Sequence, residues 1–151
     1  MNWVDSFTAI SSLATAVGVF FAAIQLMAAK NQAVRDFEDG FAKEYRELAN
    51  RLPASALLGL ALTEEEGEEH FDEFFRYFDL CNEQIYLRIQ NRIRIPTWEF
   101  WSAGMQSNFR KPAFAAAWER IERSRTNEFS ELRRLLASEF IQDPRRWPRK
   151  R

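Results

Sequence analysis

Few side chains in this sequence can trade protons, attack a substrate or hold a metal. There is one histidine, His70, and one cysteine, Cys81. They stand eleven residues apart in a helix-patterned segment, about 16 Å along the axis. A nucleophile and its base must approach to about 3 Å, so the two cannot act together within one chain. Nor can one His and one Cys build a zinc site within a chain. His70 therefore reads as a surface or helix-start residue. The run Glu64, Glu65, Glu66, Glu68 and Glu69 could gather a divalent cation, but carboxylates at a helix start are ordinarily a solvated cap favoured by the helix dipole. Thr63 followed by Glu66 supplies the capping box that such a start uses. The phosphate-binding and nucleophile-elbow motifs GxxxxGK[ST], GxGxxG and GxSxG are missing. No arginine stands four to six residues before His70, which removes the Arg/His pattern of small helical RNases. The expectation is a non-enzymatic protein with no metal and no cofactor.

Basic side chains form two groups. Arg88, Arg92 and Arg94 lie near Tyr86 and ahead of Trp98 and Trp101. Arg88 and Arg92, one turn apart, read most simply as partners for acids on a neighbouring helix. With Trp98 and Trp101 they also form a candidate ligand or interface site. The second group is the end of the chain, Arg145, Arg146, Trp147, Arg149, Lys150 and Arg151. Three readings compete there: a solvated end, contact with anionic lipid headgroups, and contact with nucleic acid or nucleotide, the least favoured of the three. Overall charge is near zero but unevenly placed. There are 14 acids and 6 bases up to Asp79, then 8 acids and 15 bases from Leu80 onward. Head-to-tail contact between halves is one use of that asymmetry; solvated faces of opposite sign is the other.

What must position these groups is the uncharged stretch Ser6 to Ala29, SFTAISSLATAVGVFFAAIQLMAA. As a helix its 24 residues reach about 36 Å, more than a bilayer core of about 30 Å. On a helical wheel Thr8, Ser11, Thr15, Gly18, Ala22, Gln25 and Ala29 share one face, and Ile10, Leu13, Val17, Phe20, Ile24 and Met27 the opposite one. Helices in lipid associate through small residues and interhelical hydrogen bonds rather than by hydrophobic burial. The polar face thus reads as a helix-packing or pore-lining surface. The competing reading is a lone anchor whose hydroxyls bond back to their own helix. A cleaved signal peptide fits poorly: the first five residues hold no Lys or Arg, Asp5 is acidic, and the apolar run exceeds a usual h-region. Lys30 and Arg35 after the span place the C-terminal part in the cytoplasm and the N-terminus outside.

From Lys30 the remaining 122 residues suffice for one core and not two. Fourteen Phe and five Trp against five Gly and five Pro, without strand-like alternation, give an all-α class. A single cysteine leaves no internal disulfide framework and fits a reducing compartment. Val34, Phe37, Phe41, Tyr45, Leu48 and Leu52 step by three or four residues, so one helix is expected from about Asp5 to Arg51, ended by Pro53. The stretch 53–62 reads as a short helix or a loop. A helix from Thr63 to about Ile93 follows, with Phe71, Phe74, Phe75, Phe78, Cys81, Ile85 and Ile89 inward, stopped by Pro96. Thr97 is expected to cap the next helix, Pro112 to open another at its first turn, and Phe129 to Phe140 to form the last. The expected architecture is an N-terminal transmembrane helix (residues 1–30) continuing through a stalk (31–52) into a cytosolic helical domain (31–143), then a basic tail (144–151) that does not pack.

Three stretches carry a resemblance: ISSLATAVGVFFAAIQLMAAKNQAVRDFEDGF, FDEFFRYFDLCNEQIYLRIQNRIRIP and WEFWSAGMQSNFRKPAFAAAWERI. In this arrangement the chain resembles a group of small, mostly uncharacterised bacterial inner-membrane proteins with one N-terminal span and a cytosolic helical bundle. The layout is also similar to that of the membrane-pore accessory proteins found beside RNA-targeting CRISPR effectors, which form rings and help stop phage. Members of that group have been associated with an Arg/His nuclease-like motif that this sequence lacks. The resemblance implies a homo-oligomer in the lipid bilayer, in its strong form a pore acting in an anti-phage or stress response. Two alternatives are a membrane-anchored adaptor whose cytosolic domain binds a protein partner, and a membrane-tethered ligand sensor.

Overall fold

The computed structural model describes residues 3–124 and 127–148, with side chains described from Thr15 onward. It is all-α: seven helices and no strand among the described residues. They are α1 (Trp3–Ala49), α2 (Ala54–Leu57), α3 (Glu64–Glu69), α4 (Phe71–Ile89), α5 (Ile95–Phe109), α6 (Pro112–Arg123) and α7 (Ser130–Ala137), followed by a 3₁₀ turn at Pro144–Arg146. The chain divides into two compact units, 1–37 and 38–151.

The first unit is helix throughout its described length, with every described residue up to Ala33 exposed. In the second unit α4 is the element on which the rest packs, contacting α6, α7 and the 3₁₀ turn. Its Phe74, Tyr77, Phe78, Cys81, Ile85 and Arg88 follow one buried stripe. Aromatic rings interlock around it edge to face. Phe74 meets Phe114 at 5.0 Å, Phe78 meets Trp118 at 5.1 Å and Phe75 meets Phe129 at 5.0 Å between centroids. Such pairs add about 0.5–1.5 kcal/mol each beyond burial. The 38–49 end of α1 joins this unit through Phe41 against Trp101 and Tyr45 against Tyr77.

Local signals explain most boundaries. Pro53 follows the end of α1, and Gly59, at φ 85°, closes α2 with Leu60 N–H donating to Ser55 O at 2.9 Å. The capping box forms as expected: Glu66 N–H donates to the Thr63 hydroxyl and Thr63 N–H to the Glu66 carboxylate. Pro112 opens α6. Four expectations need correction. The helix from Thr63 is broken at His70, because α3 buries none of its residues while α4 buries a full face. It then ends at Ile89, not Ile93. Asn91 takes a left-handed conformation, with Arg92 N–H donating to Leu87 O and Asn91 N–H to Arg88 O, the Schellman stop for which Asn is second only to Gly. Pro96 does not stop that helix but lies in the first turn of α5, and Thr97 caps nothing: its hydroxyl donates to Glu38. Finally, residues 144–148, the described part of the expected free tail, pack, with Pro144 and Trp147 both buried.

Candidate functional site: an uncovered apolar helix and an aromatic cleft

Within the first unit, α1 is long and apolar enough to cross a membrane. Val19, Phe20, Phe21, Leu26 and Met27 are all more than half exposed. The face expected to pack or line a pore carries Thr15, Gly18, Ala22 and Gln25 at successive turns; the side chains of Thr8 and Ser11 lie outside the described residues. Gly18 would meet nothing within 4 Å if it carried a Cβ, and the Gln25 amide has no hydrogen-bond partner among the described residues.

In the second unit the Arg88, Arg92, Trp98 and Trp101 group is not one site. Arg88 is 1% exposed and is spent inside the core. Its Nε donates to Asp143 Oδ1 at 2.9 Å, Nη2 donates to Asp143 Oδ2, and Nη1 donates to Ile93 O at 2.8 Å. This guanidinium holds the Asp143 carboxyl below its ordinary value against the opposing effect of burial. The partner is thus an acid in the chain's last segment and not on a neighbouring helix. Arg92 is exposed and Trp98 buried, while Trp101 is half-buried against Phe41. Of the final basic group, Arg145 and Arg146 are exposed. Trp147 is buried under the Arg134 guanidinium, 4.4 Å from the ring centroid, so it is no headgroup or base contact. Arg149, Lys150 and Arg151 lie outside the described residues.

A second network was not foreseen. Glu38, almost fully buried, accepts from Arg94 N–H at 2.9 Å and Arg94 Nε at 2.9 Å, from Arg94 Nη2, and from the Thr97 hydroxyl at 2.8 Å. Burial alone would raise this carboxyl; the Arg94 and Thr97 hydrogen bonds outweigh it and hold it below its ordinary value. The network pins the start of α5 to the 38–49 end of α1.

Beside it lies a half-open cleft of about 420 Å³ whose wall includes Tyr45, Arg46, Tyr77, Gln84, Trp101 and Met105. Burial pushes the Cys81 thiol at its base up to about 12, so it is neither a nucleophile nor a ligand at neutral pH. Burial also raises the Tyr77 hydroxyl, which accepts from Asn108 Nδ2 at 3.0 Å. Of the residues singled out from the sequence as a candidate ligand site, Trp101 lines this cleft; Gln84, a polar residue in register with the buried stripe of α4, is a further signal that was not among them. Glu38 gave none, because it sits among the exposed charges of the stalk.

The Glu64–Glu69 run is solvated and capped, and no group of three or more His, Cys, Asp or Glu side chains converges among the described residues. No protein-family model matches this chain, and no curated protein or solved structure shows detectable similarity to it.

Proposed function

We propose that this chain is a non-enzymatic single-span protein of the inner membrane that self-associates through the face carrying Thr8, Ser11, Thr15, Gly18, Ala22 and Gln25. One observation carries the reading: an apolar helix with its large side chains exposed has on one side a glycine with open space around it and an amide with no partner among the described residues. Gly in a helix costs about 1 kcal/mol relative to Ala, and no close contact at Gly18 among the described residues repays it. A second helix at close approach would do so, and an unpaired amide in hydrocarbon needs a neighbour or water. Lys30 and Arg35 support a cytoplasmic helical domain. In the stronger form, the polar faces of several copies enclose an aqueous path that depolarises the membrane during an anti-phage or stress response. The resemblance of layout supports that form.

Cross-linking in native membranes tests the reading. The wild type should yield a ladder ending at one closed number of copies, and Gly18→Leu or Ala22→Leu should collapse it to monomer. An unchanged ladder in both variants would reject the polar face as the contact. A second reading, an adaptor tethered by its span, is favoured by Phe100, 79% exposed on the cytosolic unit. Under it, exchange of the span for a poly-Leu helix preserves function; under the first reading the exchange abolishes it.

A further inference from the structure

We propose that the cleft between α4, α5 and the 38–49 end of α1 binds a small organic anion with an apolar body, its charge met by Arg46 and its body held beside Gln84. The proposal is independent of the span. The cleft's volume of about 420 Å³ falls in the range of about 300–1,000 Å³ typical of small-molecule sites. Its wall is mostly apolar and aromatic, with Tyr45, Tyr77, Trp101 and Met105 on it, and such a wall selects an apolar body of aromatic size.

This wall carries one buried polar group without a partner among the described residues and one exposed cation. Gln84 is 5% exposed, yet its amide makes no hydrogen bond among the described residues. Asn108, in the same lining, has a partner at both ends of its amide, donating to Tyr77 and accepting from Lys111 Nζ at 2.8 Å. A buried amide is costly without a partner. Gln84 is not among the sealed-off polar groups, of which Arg133 Nη2 is the one described case, so its amide opens onto the cleft. The Arg46 guanidinium likewise has no ion pair or hydrogen bond among the described residues. An apolar pocket with a buried amide unpaired among the described residues and an exposed cation on its wall is built for an anion with an apolar body rather than for a neutral hydrocarbon.

The test uses the full chain in phosphatidylcholine nanodiscs, titrated calorimetrically with 2-naphthoate and with its neutral analogue 2-naphthamide, empty discs serving as blank. One saturable site per chain is expected, with the carboxylate bound about tenfold more tightly than the amide, as for a hydrogen bond to a charged group. Arg46→Gln should erase that preference. Gln84→Leu, which replaces an unpaired amide by an apolar group of similar size, should weaken both probes about tenfold without lowering thermal stability. Gly104→Leu keeps the helix, because an added Cβ there meets nothing within 4 Å, and should abolish binding by filling the cleft. Heat indistinguishable from empty discs would overturn the proposal, and so would binding unaltered in both Gln84→Leu and Gly104→Leu, which would leave water as the partner of Gln84.

Discussion

Removing the Asp143 carboxylate should cost more than removing the arginine it binds. In Asp143→Ala the Arg88 guanidinium stays 1% exposed, keeps only its bond to Ile93 O, and becomes a charge without a counter-ion. Breaking a buried pair from one side costs about 3–5 kcal/mol. The Asp143 side chain is 29% exposed, so water can enter where it stood, and the lower end, about 3 kcal/mol, applies. Arg88→Met leaves instead a carboxylate that water reaches and that still accepts from Arg145 N–H at 3.1 Å. The main loss is then the donor to Ile93 O, about 1–1.5 kcal/mol. For a domain of roughly a hundred residues, 1 kcal/mol shifts Tm by about 4 °C. Asp143→Ala should thus lower the melting point of the detergent-solubilised protein by about 12 °C and Arg88→Met by about 5 °C, followed by tryptophan fluorescence in one detergent. The double variant should melt above Asp143→Ala, because no buried charge remains. Equal losses in the two single variants, or simple additivity in the double, would refute the account of Arg88 as a structural core charge.

Three further outcomes follow from the same physics. Glu38 is held below its ordinary value of 4.5 when folded, so its contribution is complete above about pH 4.5 and fades as pH falls through the lower folded value. The acid limb of stability should flatten in Glu38→Gln, and an unchanged limb would remove the Glu38–Arg94 network from the account. Cys81, with its thiol near 12 and 1% exposed, should react with iodoacetamide at pH 8 roughly a thousandfold more slowly than a free cysteine and at full rate in denaturant; rapid modification of the native protein would contradict its burial. Trp147→Ala should cost about 3 kcal/mol, whereas a neutral effect would return the chain's end to a free basic tail.

How far the sequence could be read depended on whether a signal was local. The apolar run of α1, the Thr63 capping box and Pro112 at the first turn of α6 are properties of a few adjacent residues, and each stood in plain view. The break at His70 required comparing two helices that bury different amounts, and the stop at Asn91 required a backbone conformation that asparagine permits but does not compel. The ion pairs were least legible. Arg88 to Asp143 spans 55 positions and Glu38 to Arg94 spans 56, and nothing in a charged residue's type says that its partner lies that far away. Arg88 read from the sequence as the partner of an acid on a neighbouring helix, or else as a ligand contact; its partner is an acid, Asp143, but one outside the helices. Similarly, Trp147 looked solvated because arginines surround it, although a stacked guanidinium is one of the ways a buried indole is covered.

The central claim is that the span brings copies of this chain together. The most direct measurement is the mass of the particle extracted in mild detergent, by size-exclusion chromatography with light scattering and with the bound detergent subtracted. The account predicts a single closed assembly of several 17.8 kDa chains, reduced to monomer by Gly18→Leu. A monomeric wild type would contradict it, and a dimer would contradict the pore form, since two helices cannot enclose a channel.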